Sequence, residues 1–131
     1  MVDETRAPKP TDAELTILRV LWERGASTVR EVQEALAKRR PTGYTTVLKL
    51  LQIMTEKGSV VRDERERAHL YEARLPETQT QRQLVDDLLD RAFGGSAEKL
   101  VQALSGRPSS PEELARIRKL LNELDSEGAE P

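Results

Sequence analysis

At 131 residues the chain is long enough for one domain with a sizeable core, or for a small domain carrying an appended helical module. Leu and Ala dominate an apolar set that includes one Phe, one Trp and two Tyr, a mostly helical composition, and the absence of Cys excludes disulfides, thiol catalysis and thiolate metal sites. The formal net charge of −2 divides into +2 over residues 1–75 and −4 over residues 76–131, a modest asymmetry whose direction agrees with a nucleic-acid-facing front half and an acidic rear half.

Residues 1–10 contain Pro8, Pro10 and mixed charges and read as a flexible leader without the apolar core of a signal peptide. No apolar run reaches the roughly 18 residues that span a membrane, so a cytoplasmic protein with no membrane insertion is expected. Order begins at Thr11-Asp12-Ala13-Glu14, a capping box in which hydroxyl and carboxylate satisfy the free amides of a helix start. Leu15, Leu18, Leu21 and Trp22 mark one face of this helix, and Gly25 is a suitable stop. Thr28-Val29-Arg30-Glu31 is a second capping box, followed by Val29, Val32, Ala35 and Leu36 at helical spacing. Lys38-Arg39-Arg40 is read as the last turn of that helix, where the dipole favours cations, with Pro41 just beyond.

The third segment, Gly43 to Gly58, places Val47, Leu50, Leu51 and Met54 at i, i+3, i+4 and i+7, an apolar stripe. Thr45, Thr46, Lys49 and Gln52 fall on the opposing arc, and these side chains can meet base edges or phosphates. On its own such a helix is more often simply solvated on its polar side; its neighbours give it meaning. Val60 to Arg62 and His69 to Ala73 are strand-like and flank a charged tip from Asp63 to Arg67, a short β-hairpin. Three capped helices followed by a charged hairpin give the order of a winged helix-turn-helix over residues 11–75, with the third helix as reader.

The rear half is helical again, with Leu84, Leu88, Leu89 and Phe93 before the Gly94-Gly95 break and Leu100 and Val101 in a helix capped by Ser96. Ser110-Pro111-Glu112-Glu113 opens a last helix, in which Leu114, Ile117, Leu121 and Leu124 alternate by three and four as in a coiled-coil seam. Short helices with Phe93 as their one aromatic side chain bury little surface alone, so residues 76–125 read as a dimerisation module, with these ten residues as its contacts. Docking of the same helices back onto the front domain stays open as the alternative. Residues 126–131 read as a flexible tail.

The patterns LTILRVLWERGASTVREV, GYTTVLKLLQIMTEKG, RAHLYEA, FGGSAEKLVQAL and SPEELARIRKLL, in this order, resemble the penicillinase-repressor family of winged-helix regulators, the BlaI/MecI/CopY group. The resemblance runs over residues 11–124. It implies a mostly α fold, a winged helix-turn-helix with a C-terminal helical dimerisation module, in a homodimeric bacterial repressor of palindromic TACA/TGTA-type operators. Carried over by position, it puts Thr45, Thr46 and Lys49 at or near the bases and Arg40, Tyr44 and Gln52 at phosphates or flanks. Arg62, Arg65 and Arg67 of the wing would approach a neighbouring phosphate or the minor groove, although Glu64 and Glu66 interleave with them. The copper-responsive branch of the family carries C-terminal cysteine motifs, which this chain lacks. The antibiotic-responsive branch is cleaved at an Asn-Phe bond when a membrane sensor-protease fires; the corresponding position here is Ala103-Leu104, a departure that puts cleavage in doubt.

No metal, cofactor or enzymatic activity is expected: there is one His, no HExxH and no Gly-rich phosphate loop, and Asp86, Asp87 and Asp90 have the spacing of a solvated helix face. A winged helix can also serve as a protein-interaction scaffold, and the fold alone does not decide between the two. The polar arc of the third helix favours DNA. Leu48 and Ile53 are exceptions on that helix, Leu48 being suited either to a thymine methyl or to an intramolecular gap.

Overall fold

The computed structural model describes residues 9–128; the expected leader over residues 1–8 and the end of the tail over residues 129–131 lie outside the described residues. Six helices and one hairpin follow in order: α1 (Asp12–Arg24), α2 (Val29–Ala37), α3 (Tyr44–Lys57), β1 (Val60–Asp63), β2 (Leu70–Ala73), α4 (Glu77–Ala92), α5 (Ala97–Leu104) and α6 (Pro111–Gly128). The expected winged helix-turn-helix is present. Both capping boxes form as written in the sequence, Thr11 with Glu14 and Thr28 with Glu31.

One core joins the first five elements. Ile17, Leu18 and Leu21 of α1 meet Val29, Val32 and Leu36 of α2, Val47, Leu51 and Met54 of α3, Val60 of β1 and Tyr71 of β2. The buried stripe of α1 is Glu14, Ile17, Leu18 and Leu21; it includes Leu18 and Leu21 of the expected face, while Leu15 and Trp22 are half-buried at its border. The first place of the stripe is taken by an acid, which an apolar search passes over. Leu48 and Leu50 are partly buried and pack against the core. For Leu48, part of the side chain thus packs within the molecule. Ile53 is half-buried.

Helix α2 ends at Ala37, before the three cations expected in its last turn. The amides of Arg39 and Arg40 both donate to the Leu36 carbonyl, a tightened turn, and Pro41 disfavours helical backbone in the residue before it. The antiparallel hairpin pairs Val60 with Ala73 and Asp63 with Leu70. Ser27, between α1 and α2, adds a bridge to Tyr71 through two backbone hydrogen bonds of 2.9 and 2.8 Å, so the wing is rooted in the helical layer.

The chain divides into two compact units, one running to Leu88 and the other starting at Leu89, so most of α4 belongs to the winged-helix unit. Within that unit the Trp22 indole donates to the Leu75 carbonyl at 3.0 Å, Thr80 is buried, and Lys9 pairs with Asp87 at 2.6 Å. In the second unit, Gly94 and Gly95 take positive φ and end α4, Ser96 caps α5, and Ser110 caps α6. Every residue of positions 101–125 is exposed in the single chain, including Val101, Leu104, Leu114, Ile117, Leu120, Leu121 and Leu124. No helix among the described residues is long and apolar enough to cross a membrane.

Candidate nucleic-acid interface

Helix α3 is fixed by its buried stripe, and that stripe turns the rest of the helix outward. Tyr44, Thr45, Thr46, Lys49 and Gln52 are all exposed, as is Arg40 in the turn that leads into α3. Thr45, Lys49 and Gln52 stand across the helix from Val47, Leu51 and Met54; Thr46 lies at the border of this arc. Gly43 caps the helix without a side-chain hydrogen bond, so the first amides of α3 and the positive end of its dipole face outward with no capping oxygen over them. Such an end suits a phosphate. The preceding turn is organised by Gln33, whose side-chain amide donates to the Thr42 carbonyl at 3.3 Å, and by the Thr42 hydroxyl donating to the Arg40 carbonyl at 3.0 Å.

Sequence reasoning missed one member of the arc. Glu56 is exposed, four residues after Gln52 and seven after Lys49, and so stands on the same strip of α3. A carboxylate there repels anions, so the strip is least favourable to a phosphate at its C-terminal end. The spacing alone would have revealed it.

The wing keeps its three arginines at the surface, but two of them are engaged locally. Arg62 pairs with Glu64 at 2.6 Å, and Arg65 pairs with Asp63 at 2.7 Å. Hydrogen bonds from the Arg65 side chain and amide hold the Asp63 carboxyl at about 2, below its usual 3.8. The hydrogen bond with Tyr71, with Glu64 nearby, holds the Arg62 guanidinium above its ordinary value, and Asp63 does the same for Arg65. Arg67 is exposed and forms no ion pair among the described residues. All nine residues expected to face DNA are thus exposed, while the charge they offer is smaller than a count of arginines suggests.

The cleft between α1 and α2, about 230 Å³, is bordered by Arg19, Arg24, Lys38 and Arg39 against the single carboxylate of Glu23. It offers no paired acid and base. Among the described residues no group of three or more His, Asp or Glu side chains is placed to hold a metal.

The model of the penicillinase repressor family matches residues 10–123. The chain belongs to the penicillinase repressor family. A penicillinase repressor from Bacillus licheniformis is 24% identical over 119 residues, covering 90% of this chain and 93% of that one. The transcriptional regulator BlaI of Mycobacterium tuberculosis is 43% identical over 61 residues, an alignment spanning 46% of this chain and 44% of that protein. The solution structure of the DNA-binding domain of the repressor BlaI matches with a TM-score of 0.50 at 24% identity, over 57% of this chain and 92% of that domain. For this member of the penicillinase repressor family, that likeness shows the winged-helix fold.

Proposed function

We propose that this chain is a dimeric transcriptional repressor that places α3 of each subunit in the major groove of a palindromic operator. The observation that carries the reading is α3 itself: an apolar stripe locked in the core, a polar arc of Thr45, Lys49 and Gln52 bordered by Thr46, and an amide-rich N-terminus with no side-chain cap. The relatives' names as repressor and transcriptional regulator support it. Base reading is assigned to Thr45, Thr46 and Lys49, and phosphate or flanking contact to Arg40, Tyr44 and Gln52. Half-sites of the TACA/TGTA type are part of the proposal, carried over from the family resemblance. In a two-fold dimer the reader helices meet half-sites about one helical turn of DNA apart, and occupancy of the promoter excludes polymerase.

The second copy is supported by apolar surface that nothing covers within one chain. Val101, Leu114, Ile117, Leu121 and Leu124 are each exposed by more than a third, more apolar surface than a soluble monomer ordinarily leaves to water. Leu84, Leu89, Phe93 and Leu100 are half-buried beside them in sequence, and Leu88 is exposed. The ten residues are assigned to the dimer interface. Release by proteolysis at Ala103-Leu104, by a membrane sensor-protease or a protease downstream of it, is consistent with two exposed residues at the end of an eight-residue helix without a buried side chain. An intact chain in fully induced cells would refute that route.

The decisive test is Thr46→Ala. Specific binding to a TACA/TGTA dyad should fall about tenfold, in the range of one lost base contact, with helicity unchanged by circular dichroism. Dyad binding that survives unchanged would overturn the assignment of this face of α3 to the bases, and a wild-type chain that shows no preference for the dyad would favour the protein-interaction scaffold instead.

A further inference from the structure

The far end of the reader helix, where no DNA contact is assigned, is held from two sides. Lys57, in the last turn of α3, donates to both carboxylate oxygens of Glu14 in the first turn of α1, at 2.9 and 3.2 Å. The Glu14 side chain is 3% exposed, and its Oε1 also accepts the Thr11 amide at 3.0 Å, so its orientation is set by the start of α1 before Lys57 arrives. On the other side the Arg74 guanidinium donates to the Gly58 carbonyl, and the Arg74 amide to the Ser59 carbonyl at 3.0 Å. The opposite end of α3 has no such clamp: Gly43 contributes no side chain, and the nearest tether is Gln33 to the Thr42 carbonyl.

Apolar packing is non-directional and tolerates small rotations of a helix, whereas a charge-assisted hydrogen bond to a buried, already oriented carboxylate has a defined geometry. Lys57 follows Thr46 by eleven residues, three turns to within about 20°. The two side chains therefore leave α3 along nearly the same line, and pinning one sets the azimuth of the other. A slip of about 20° at a side-chain radius of roughly 5–6 Å carries a tip about 2 Å sideways, enough to break a base hydrogen bond.

We propose that Glu14 and Lys57 are positioning residues for operator reading, a pair anchored on the buried Glu14 carboxylate that fixes the rotation of α3 so that Thr45, Thr46 and Lys49 meet base edges in register. The proposal rests on α3 being the DNA reader. It also assigns the Lys57 charge to Glu14 and not to phosphate, which makes the pair separable from an ordinary backbone contact. Glu14 stays ionised for the purpose: burial raises its pKa, but the hydrogen bonds from Lys57 and Thr11 outweigh this and leave it below the usual carboxylate value.

The test uses the full chain and fluorescence anisotropy on a TACA/TGTA dyad duplex and a scrambled duplex of equal length, from 50 to 200 mM salt, at 10 °C. Lys57→Met and Glu14→Gln should each lose about tenfold in the dyad-to-scramble ratio, keep the wild-type salt slope, and hold affinity for the scramble within about twofold; Lys57→Arg should recover most of the ratio. Helicity by circular dichroism confirms folding, and if Lys57→Met fails to fold, Glu14→Gln, which keeps an acceptor for the Thr11 amide, carries the comparison. A slope lower by about one, with both duplexes weakened alike, would place Lys57 on phosphate and overturn the proposal. So would an unchanged ratio in folded variants. A wild-type chain that does not prefer the dyad would instead bring down the repressor reading on which the pair depends.

Discussion

The wing makes a quantitative prediction about charge. Residues 62–67 hold three arginines and three carboxylates, and Asp63 accepts from Arg65 Nε at 3.0 Å, Nη2 at 2.7 Å and the backbone amide at 3.0 Å. With its pKa at about 2, Asp63 is ionised at any pH used for DNA binding. Asp63→Asn keeps Oδ1 to accept the Arg65 amide and Nε but loses the Oδ2 that accepts Nη2, so the turn-forming amide bond is retained, Arg65 is partly released and the tip gains one net positive charge. If the wing lies along the duplex, the slope of log K against log salt should steepen by about 0.9, the release of one more counterion. From 50 to 200 mM that slope difference amounts to a three- to fourfold change, roughly, in the variant's advantage over wild type. Anisotropy on dyad and scrambled duplexes measures it, and both should show the same increment because a phosphate contact carries no sequence information. Arg67→Ala should lower the slope by about one, whereas Arg65→Ala, whose charge already faces Asp63, should leave it nearly unchanged. Equal slopes for wild type, Asp63→Asn and Arg67→Ala would show that the wing does not touch DNA.

Leu51 is fully buried in the middle of α3, and Leu51→Ala should cost about 2–5 kcal/mol in urea unfolding, a large share of the roughly 5–15 kcal/mol typical of a domain. Gly58 ends α3 at φ 85°, and an added Cβ would meet only Arg74 Nε at 3.8 Å; Gly58→Ala should therefore cost about 1–2 kcal/mol from backbone strain alone. Since the folded pKa of Glu14 lies below its unfolded value near 4.5, its ionised form adds stability that is complete above that value and is lost as pH falls through the folded one. The gap in melting temperature between wild type and Glu14→Gln should accordingly be constant at neutral pH and narrow only below about 4.5. If the proposed dimer forms through the exposed row of α6, Leu121→Asp should sediment as a monomer where the wild-type chain sediments as a dimer, and an unaltered distribution would remove that row from the interface.

Local chemistry was legible in the sequence and remote chemistry was not. Thr11 and Thr28 announce helix starts because their partners sit three residues away, and the ends of α3 follow from Gly43 and Gly58. The same Glu14 that completes the first cap hides its second role, since Lys57 is 43 residues distant and no spacing rule connects them. The Ser27 bridge to Tyr71 has no signature for the same reason. Leu48 was ambiguous because periodicity places a residue on a helix but does not say what the neighbouring elements cover. In the wing, the alternation of Arg with Asp and Glu was visible, but which charges cancel depends on how the tip folds.

Trp22, donating its indole proton to the Leu75 carbonyl where the hairpin gives way to α4, has an optical consequence. It is the only Trp in the chain, and both tyrosines, Tyr44 and Tyr71, lie in the same unit. Intrinsic fluorescence therefore reports on the winged helix and its junction alone, while α5 and α6 are silent in emission and visible only in far-ultraviolet dichroism. A melt followed by both signals resolves the two units without any label, and loss of the last two helices would register in the dichroism while leaving the indole's immediate surroundings in place.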